Sequence, residues 1–122
     1  AFLALLPKKL GVLTLRHAIE VRHESFVDPA FYKLAKKHGV AIVLASGSDY
    51  PEIDEQPAGF TYARLMVTDE KRPKGVTPQM LKKIADRSRS WAKRGDAFVY
   101  FISSAKVRNP AAAKALIGAL RV

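Results

Sequence analysis

Three times along this chain an extended apolar segment gives way to a loop, and the loop ends in a small polar residue followed by proline. These junctions are Asp28-Pro29, Thr77-Pro78 and Asn109-Pro110, each opening a helix-patterned stretch. Asp, Thr and Asn side chains accept hydrogen bonds from the free N–H groups of a first helical turn, and proline fits the first helical position, where no N–H is needed. A repeated strand–loop–capped-helix unit calls for βα crossovers and a parallel sheet. The expected fold class is α/β, with strands over residues 17–23, 40–45, 60–66 and 98–102.

Helical periodicity supplies the faces that such a sheet would bury. In the first helix Phe31, Leu34, Ala35 and His38 share one side, and Gly39 stops it. In the second, Leu81, Ile84, Ala85, Ser88, Trp91 and Ala92 align, and Gly95 follows. The last helix is expected to bury Ala113, Leu116, Ile117 and Leu120. Trp91, Phe98, Tyr100 and Phe101 fall at core spacing. Residues 2–6 read as a helical stub, Lys8-Lys9-Leu10-Gly11 as a turn, and residues 46–59 as a polar, acidic loop. The opening on Ala1 with a helix already under way reads as a start inside a domain.

Composition narrows the chemistry. The 122 residues are 48% hydrophobic and 26% charged, which is ordinary for one globular domain. No apolar run approaches bilayer length, so no membrane partner is expected and a cytoplasmic location is. With no cysteine, disulfides, thiolate metal sites and a cysteine nucleophile are excluded. His17, His23 and His38 show no metal-ligand spacing, and no phosphate-binding glycine motif occurs. No cofactor is expected. The net charge of +10 is unevenly spread: residues 46–70 hold six acids against Arg64 alone, whereas residues 71–122 hold thirteen cations against two acids.

The strands carry an unusual polar pattern. Val40 to Ala45 is apolar throughout, as for a strand covered on both faces. The others alternate. Ile19 and Val21 oppose Ala18, Glu20 and Arg22; Ala63 and Leu65 oppose Phe60, Tyr62, Arg64 and Met66; Val99 and Phe101 oppose Phe98, Tyr100 and Ile102. If the purely apolar sets meet the helices, Glu20, Arg22, Tyr62, Arg64 and Tyr100 share the opposite face. A carboxylate and two guanidiniums suit a barrel interior better than a helix-covered sheet, provided they pair, so Glu20 is expected to meet Arg22 or Arg64.

The stretch Arg16-His17-Ala18-Ile19-Glu20-Val21-Arg22-His23-Glu24-Ser25-Phe26 resembles the Glu-Val-Arg-His strand of the YecE-like family, the domain of unknown function numbered seventy-two. The resemblance continues through Gly39 to Ala45, Tyr50-Pro51-Glu52-Ile53-Asp54, Phe60 to Leu65, Trp91-Ala92, Val99-Tyr100-Phe101 and Asn109 to Ala113, nearly the whole chain. It implies a TIM-type (β/α)8 barrel of which residues 1–122 form a single partial-barrel domain, the C-terminal half with strands five to eight. Ser46, Met66, Ile102 and Ser103 depart from residues common in relatives and are poor catalytic candidates. The match supports Glu20, Arg22, His23, Tyr62, Arg64 and Tyr100.

Working groups of such barrels sit at the C-terminal strand ends, here Arg22 and His23, Ser46, Arg64 and Met66, and Ser103 to Lys106. Arg22 and Arg64, with Tyr62 and Tyr100, are the expected ligand-binding residues for an anionic or phosphorylated small molecule. Glu20 and His23 are the candidates for acid–base work, with turnover left open. A second class of function is nucleic-acid binding through Lys82, Lys83, Arg87, Arg89, Lys93 and Arg94. A third is purely structural, an ion-pair network that fixes strand register without a ligand. Half a barrel also leaves open sheet edges, so the expected partner is the missing N-terminal half-barrel or a second copy of the chain.

Overall fold

The backbone of the Val40–Ser46 run is paired on both sides, and the other strands are arranged around it. In the computed structural model, which describes residues 2–103 and 105–121, this run comprises β4 (Val40–Ile42) and β5 (Leu44–Ser46), separated by Val43. β4 pairs in parallel with β3 (His17–Ile19), Ile19 facing Ile42, and the Val43 N–H donates to the Ile19 carbonyl at 2.9 Å. β5 pairs in parallel with β6 (Phe60–Leu65), and β6 with β7 (Asp96–Phe101). Four parallel tracks therefore follow one another in chain order. Every residue from Val40 to Ala45 is buried, as a strand flanked on both edges and both faces requires.

The capped junctions behave as their chemistry dictates. The Asp28 carboxylate accepts from the Ala30 N–H at 2.8 Å and opens α1 (Pro29–His38), which ends at Gly39 in the left-handed conformation. The Thr77 hydroxyl accepts from the Met80 N–H at 3.0 Å and opens α2 (Pro78–Ala92). At α3 (Asn109–Leu120) the reading differs: the Asn109 side chain makes no cap and instead accepts from the Thr68 hydroxyl at 2.7 Å.

All three helices lie on one side of the strands. α1 packs Ala35, Phe31 and Tyr32 against Ile19, Val21, Ile42 and Ile53. α2 and α3 pack Ile84, Ala85, Trp91 and Leu116 against Leu44, Ala63, Leu65, Val99 and Phe101. Burying a Leu or Ile side chain contributes roughly 1.5–3 kcal/mol, so these two clusters hold the sheet to its helices. The acidic 46–59 loop is pinned on the same side. Asp54 accepts from the Trp91 indole N–H at 3.1 Å and pairs with Arg87 at 3.1 Å, while Ile53 inserts into the α1 cluster.

Several details depart from the sequence reading. Residues 2–6 form only a single 3-10 turn, Leu3–Leu5. The expected break at Leu10-Gly11 is the tip of a hairpin of β1 (Lys9–Leu10) and β2 (Leu13–Thr14), with Gly11 at φ +61°. The regular part of the first long strand stops at Ile19, and β7 begins earlier than expected, at Asp96. Leu34 is exposed on α1. On α3 the buried residues are Ala112 and Leu116, whereas Ile117 and Leu120 are exposed. Beyond its first residue α3 has only Lys114 as a polar side chain, too narrow a polar face to fix its rotation from sequence. Tyr100 is 42% exposed and is not core.

Gly95, at φ +146°, passes so close to the next turn that an added Cβ would overlap the Gly59 carbonyl. At Gly39 an added Cβ meets nothing within 4 Å. Gly39→Ala should therefore cost only the roughly 1–2 kcal/mol of a left-handed alanine, and Gly95→Ala distinctly more. Urea denaturation of the two variants checks this order.

Candidate functional site

The face of the sheet away from the helices is concave and carries an open cleft of about 530 Å³. The alternation that sends Ala63, Leu65, Val99 and Phe101 to the helices sends Tyr62, Arg64, Phe98 and Tyr100 here, with Glu20 from the segment that continues β3. Parallel register sets Phe98 beside Tyr62 and Tyr100 beside Arg64. The tyrosine rings lie 5.0 Å apart, and Phe60 meets Phe98 edge-on at 6.1 Å. The cleft therefore has aromatic walls and an ionic centre.

That centre is the Glu20 carboxylate, shared between Arg64, which lines the cleft, and Arg22, which lies outside the cleft lining. Arg22 donates from Nε at 3.1 Å and from Nη2 at 2.9 Å to Oε2 of Glu20, while Arg64 donates from Nη1 to Oε1. Glu20 and Arg64 are largely buried, with side-chain exposures of 14% and 25%, whereas Arg22 is 58% exposed. The Arg22 guanidinium also lies over the Tyr50 ring, 4.6 Å from its centroid. Burial raises the Glu20 carboxyl, but the hydrogen bonds and charges of Arg22 and Arg64 outweigh it and hold the group below its ordinary value of 4.5. The Glu20 hydrogen bond in turn raises Arg22. One carboxylate neutralises one guanidinium, so the cluster keeps a net charge of +1.

The N-terminal end of the cleft is closed by a residue the sequence reading passed over. Arg16 stands immediately before β3, and its guanidinium reaches Asp96 at the start of β7, 2.9 Å away. It lies over the rings of Phe60 and Phe98, at 5.2 and 4.9 Å. A single ion pair thus spans the first and last strands. Strand alternation gave a usable signal, since Arg16 has the parity of Ala18, Glu20 and Arg22. Tyr50 gave none, because it lies in the aperiodic loop.

Of the remaining candidates, His23 is exposed and outside the cleft lining. Its Nδ1 accepts from the Ser25 N–H at 3.1 Å and lies 2.9 Å from the Ser25 hydroxyl, capping the 3-10 turn Glu24–Phe26. Past the ends of β6 and β7, Ser103, Thr68 and Asn109 form a cluster: the Asn109 side-chain carbonyl accepts from the Thr68 hydroxyl at 2.7 Å and from the Ser103 hydroxyl at 3.2 Å, and the two hydroxyls lie against each other. These groups satisfy one another and tie the two strand ends to α3. Within the expected stretch Ser103 to Lys106, Ser104 lies outside the described residues.

The outer helical cations are partly neutralised. Lys82 and Arg89 meet Asp86, and Arg87 and Arg94 meet Asp54. Lys83 and Lys93 face no acid within ion-pair distance among the described residues. Among the described residues no three His, Asp or Glu side chains cluster to hold a metal, and no helix is long and apolar enough to cross a membrane.

A depressed carboxyl contributes stability above its unfolded-state value, and that stability disappears as pH falls through the lower folded-state value. Unfolding free energy should therefore drop as the pH falls below about 4.5, and Glu20→Gln should flatten that drop; a urea series against pH reads it. At pH 7 Glu20→Ala should cost about 2–3 kcal/mol, less than the ~3–5 of a fully buried pair, because Arg22 keeps solvent access.

A search of the curated proteins found no match to this chain. Among the solved structures that resemble it are two from different organisms. A DUF72 family protein from Thermotoga maritima superposes with a TM-score of 0.66 at 18% identity, covering 88% of this chain and 47% of its own. A DUF72 family protein from Enterococcus faecalis superposes with a TM-score of 0.70 at 14% identity, covering 88% and 49%. This chain spans about half the length of those relatives, and at such identities the likeness concerns the fold alone. The family model for the protein of unknown function DUF72 matches residues 1–122. With a mixed α/β fold of parallel strands and a full-length family match, the chain belongs to the DUF72 family.

Proposed function

We propose that this chain is one half of a (β/α)8 barrel, and that its concave face binds a small anionic molecule carrying a phosphate or carboxylate. Strands that follow in chain order with every helix on one face are wound as barrel strands are, and the opposite face is then the barrel interior. The observation that carries the binding reading is the Glu20-centred cluster: two guanidiniums held on one carboxylate, one positive charge in excess, at the edge of an aromatic-walled cleft. Glu20 fixes both guanidiniums before any ligand arrives, which lowers the ordering cost of binding. Each guanidinium has five N–H donors and gives Glu20 only one or two, so donors remain for an anion. Tyr62 and Tyr100 add hydroxyls and ring faces suited to an organic group attached to that anion. The volume lies within the roughly 300–1,000 Å³ usual for small-molecule sites.

The six helical cations expected to contact phosphates include four that share Asp54 and Asp86 and so keep a positive excess of their own; what favours the Glu20 cluster is that it stands at a cleft of small-molecule size. The anionic site is tested by calorimetric titration with inorganic phosphate, pyrophosphate and glycerol phosphate in a chloride-poor buffer. At least one should bind, and Arg64→Ala should weaken it by about 10- to 100-fold, the loss of a charge-assisted hydrogen bond. Arg64→Lys should recover little, since an ammonium cannot reproduce the fork. Absence of binding to all three, or equal binding by parent and Arg64→Ala, overturns the reading.

A further inference from the structure

We infer that a second site, on the helix side of the sheet, binds a short-chain aliphatic carboxylate, propionate or butyrate in size. The site is independent of the Glu20 cleft, which opens on the opposite face. Ser46 and Leu65 are register partners at the ends of β5 and β6, and α2 crosses over them. Between strand ends and helix lies a cavity of about 70 Å³. Its apolar walls are Leu65, Val67, Met80, Ile84 and Trp91. Leu65, Ile84 and Trp91 are buried members of the cluster that holds α2 to the sheet, so the walls are fixed by core packing. Lys83 and Arg87, one helical turn apart, line the same cavity.

Unused donors around this cavity carry the inference. A strand position that faces helices ordinarily holds an apolar side chain, as Leu44 does two residues earlier on the same face. Ser46 puts a hydroxyl there instead, half-buried at the cavity wall and without a hydrogen-bond partner among the described residues. Lys83 faces no acid within ion-pair distance among the described residues. Arg87 donates from Nη2 to Asp54 at 3.1 Å, whereas Glu52 stays 3.7 Å from Nη1, so guanidinium donors remain. Asp54 is shared further with the Trp91 indole and Arg94, which leaves Lys83 as the cation without a counter-charge. An apolar void stays dry and needs no polar group at its rim. A hydroxyl and two cations around apolar walls match a molecule with an apolar body and one anionic end. Size then selects within that class. A single water needs roughly 10–15 Å³ of such volume, so the cavity takes about five to seven non-hydrogen atoms. Propionate and butyrate fit; the sites of larger ligands run to roughly 300 Å³ and more. The alkyl chain lies inward against Ile84 and Trp91, and the carboxylate sits at the lip, where Lys83 is exposed.

The test is calorimetric titration of butyrate into the Arg64→Ala chain at neutral pH, a background that removes the anion site proposed above. Butyrate should bind at roughly millimolar concentration, as so few atoms allow. Butyramide, its neutral analogue, should bind more weakly by roughly tenfold or more, the loss of a charge-assisted hydrogen bond. Octanoate should bind no tighter than butyrate, because its chain exceeds the cavity. Adding Lys83→Gln should weaken butyrate by roughly fivefold, the scale of a partly exposed ion pair, with unchanged circular dichroism. Absence of saturable butyrate binding, equal binding of butyramide, a tenfold tighter octanoate, or butyrate binding unchanged by Lys83→Gln overturns the inference. Should either variant fail to fold, nuclear Overhauser contacts on the parent decide: the methyl protons of bound butyrate should lie against the Met80 and Ile84 methyl groups, and absence of those contacts overturns it. Phosphate titration of the Lys83→Gln chain keeps the two sites apart, since that substitution leaves the Glu20 cluster intact.

Discussion

The structure depends on one run, Val40–Ser46, which is buried from Val40 to Ala45 and packed against helices on one face. Its first half is bonded to β3 and its second to β6, so it joins the α1 cluster to the α2–α3 cluster through the sheet. A strand so placed can carry no charge, and it carries none from Val40 to Ala45. The polar chemistry is displaced to its neighbours. Glu20 stands beyond β3 on one side and Arg64 lies in β6 on the other. They meet across the concave side of Val43, whose small apolar side chain lines the cleft between them. The ionic centre is thus a consequence of the apolar strand beneath it.

That placement settles how the cluster can be both structural and available. A wholly buried ion pair stabilises little, since the desolvation of both charges consumes most of the attraction. Here the carboxylate is the buried partner, and the second guanidinium stays in reach of solvent, held by the Tyr50 ring instead of by more protein charge. Glu20 gains two opposite charges for one desolvation, which is why its carboxyl titrates low although burial opposes it. The cluster leaves one cation over, Arg22, which solvent and the Tyr50 ring accommodate.

Much of this was legible in the sequence wherever a repeating pattern forced the answer. The Asp28-Pro29, Thr77-Pro78 and Asn109-Pro110 junctions located the helices, the continuous apolar run located the central strand, and the parity of Glu20, Tyr62, Arg64 and Tyr100 put them on one face. What escaped had no period to reveal it. The β1–β2 hairpin is two residues long on each side, shorter than an alternation can show. Tyr50 and Asp54 act from a loop, where partners are set by tertiary closure alone. α3 is apolar nearly all round, so of the expected stripe Ala113, Leu116, Ile117 and Leu120 only Leu116 is buried, with Ala112 beside it. Arg16 was the avoidable miss, since it shares the parity of the site residues and sits one position before β3.

Arg16 also shows how the concave face is held. Its guanidinium crosses from the start of β3 to Asp96 at the start of β7, the two outermost tracks, and rests on Phe60 and Phe98 between them. An exposed pair of this kind contributes at most about 1 kcal/mol on its own, so it cannot curve a sheet by force. The curvature has to come from strand twist and from helices packed on one side only, and the ion pair selects the spacing at which both edge strands can be reached from within. The two edges are consequently positioned relative to each other by the chain itself.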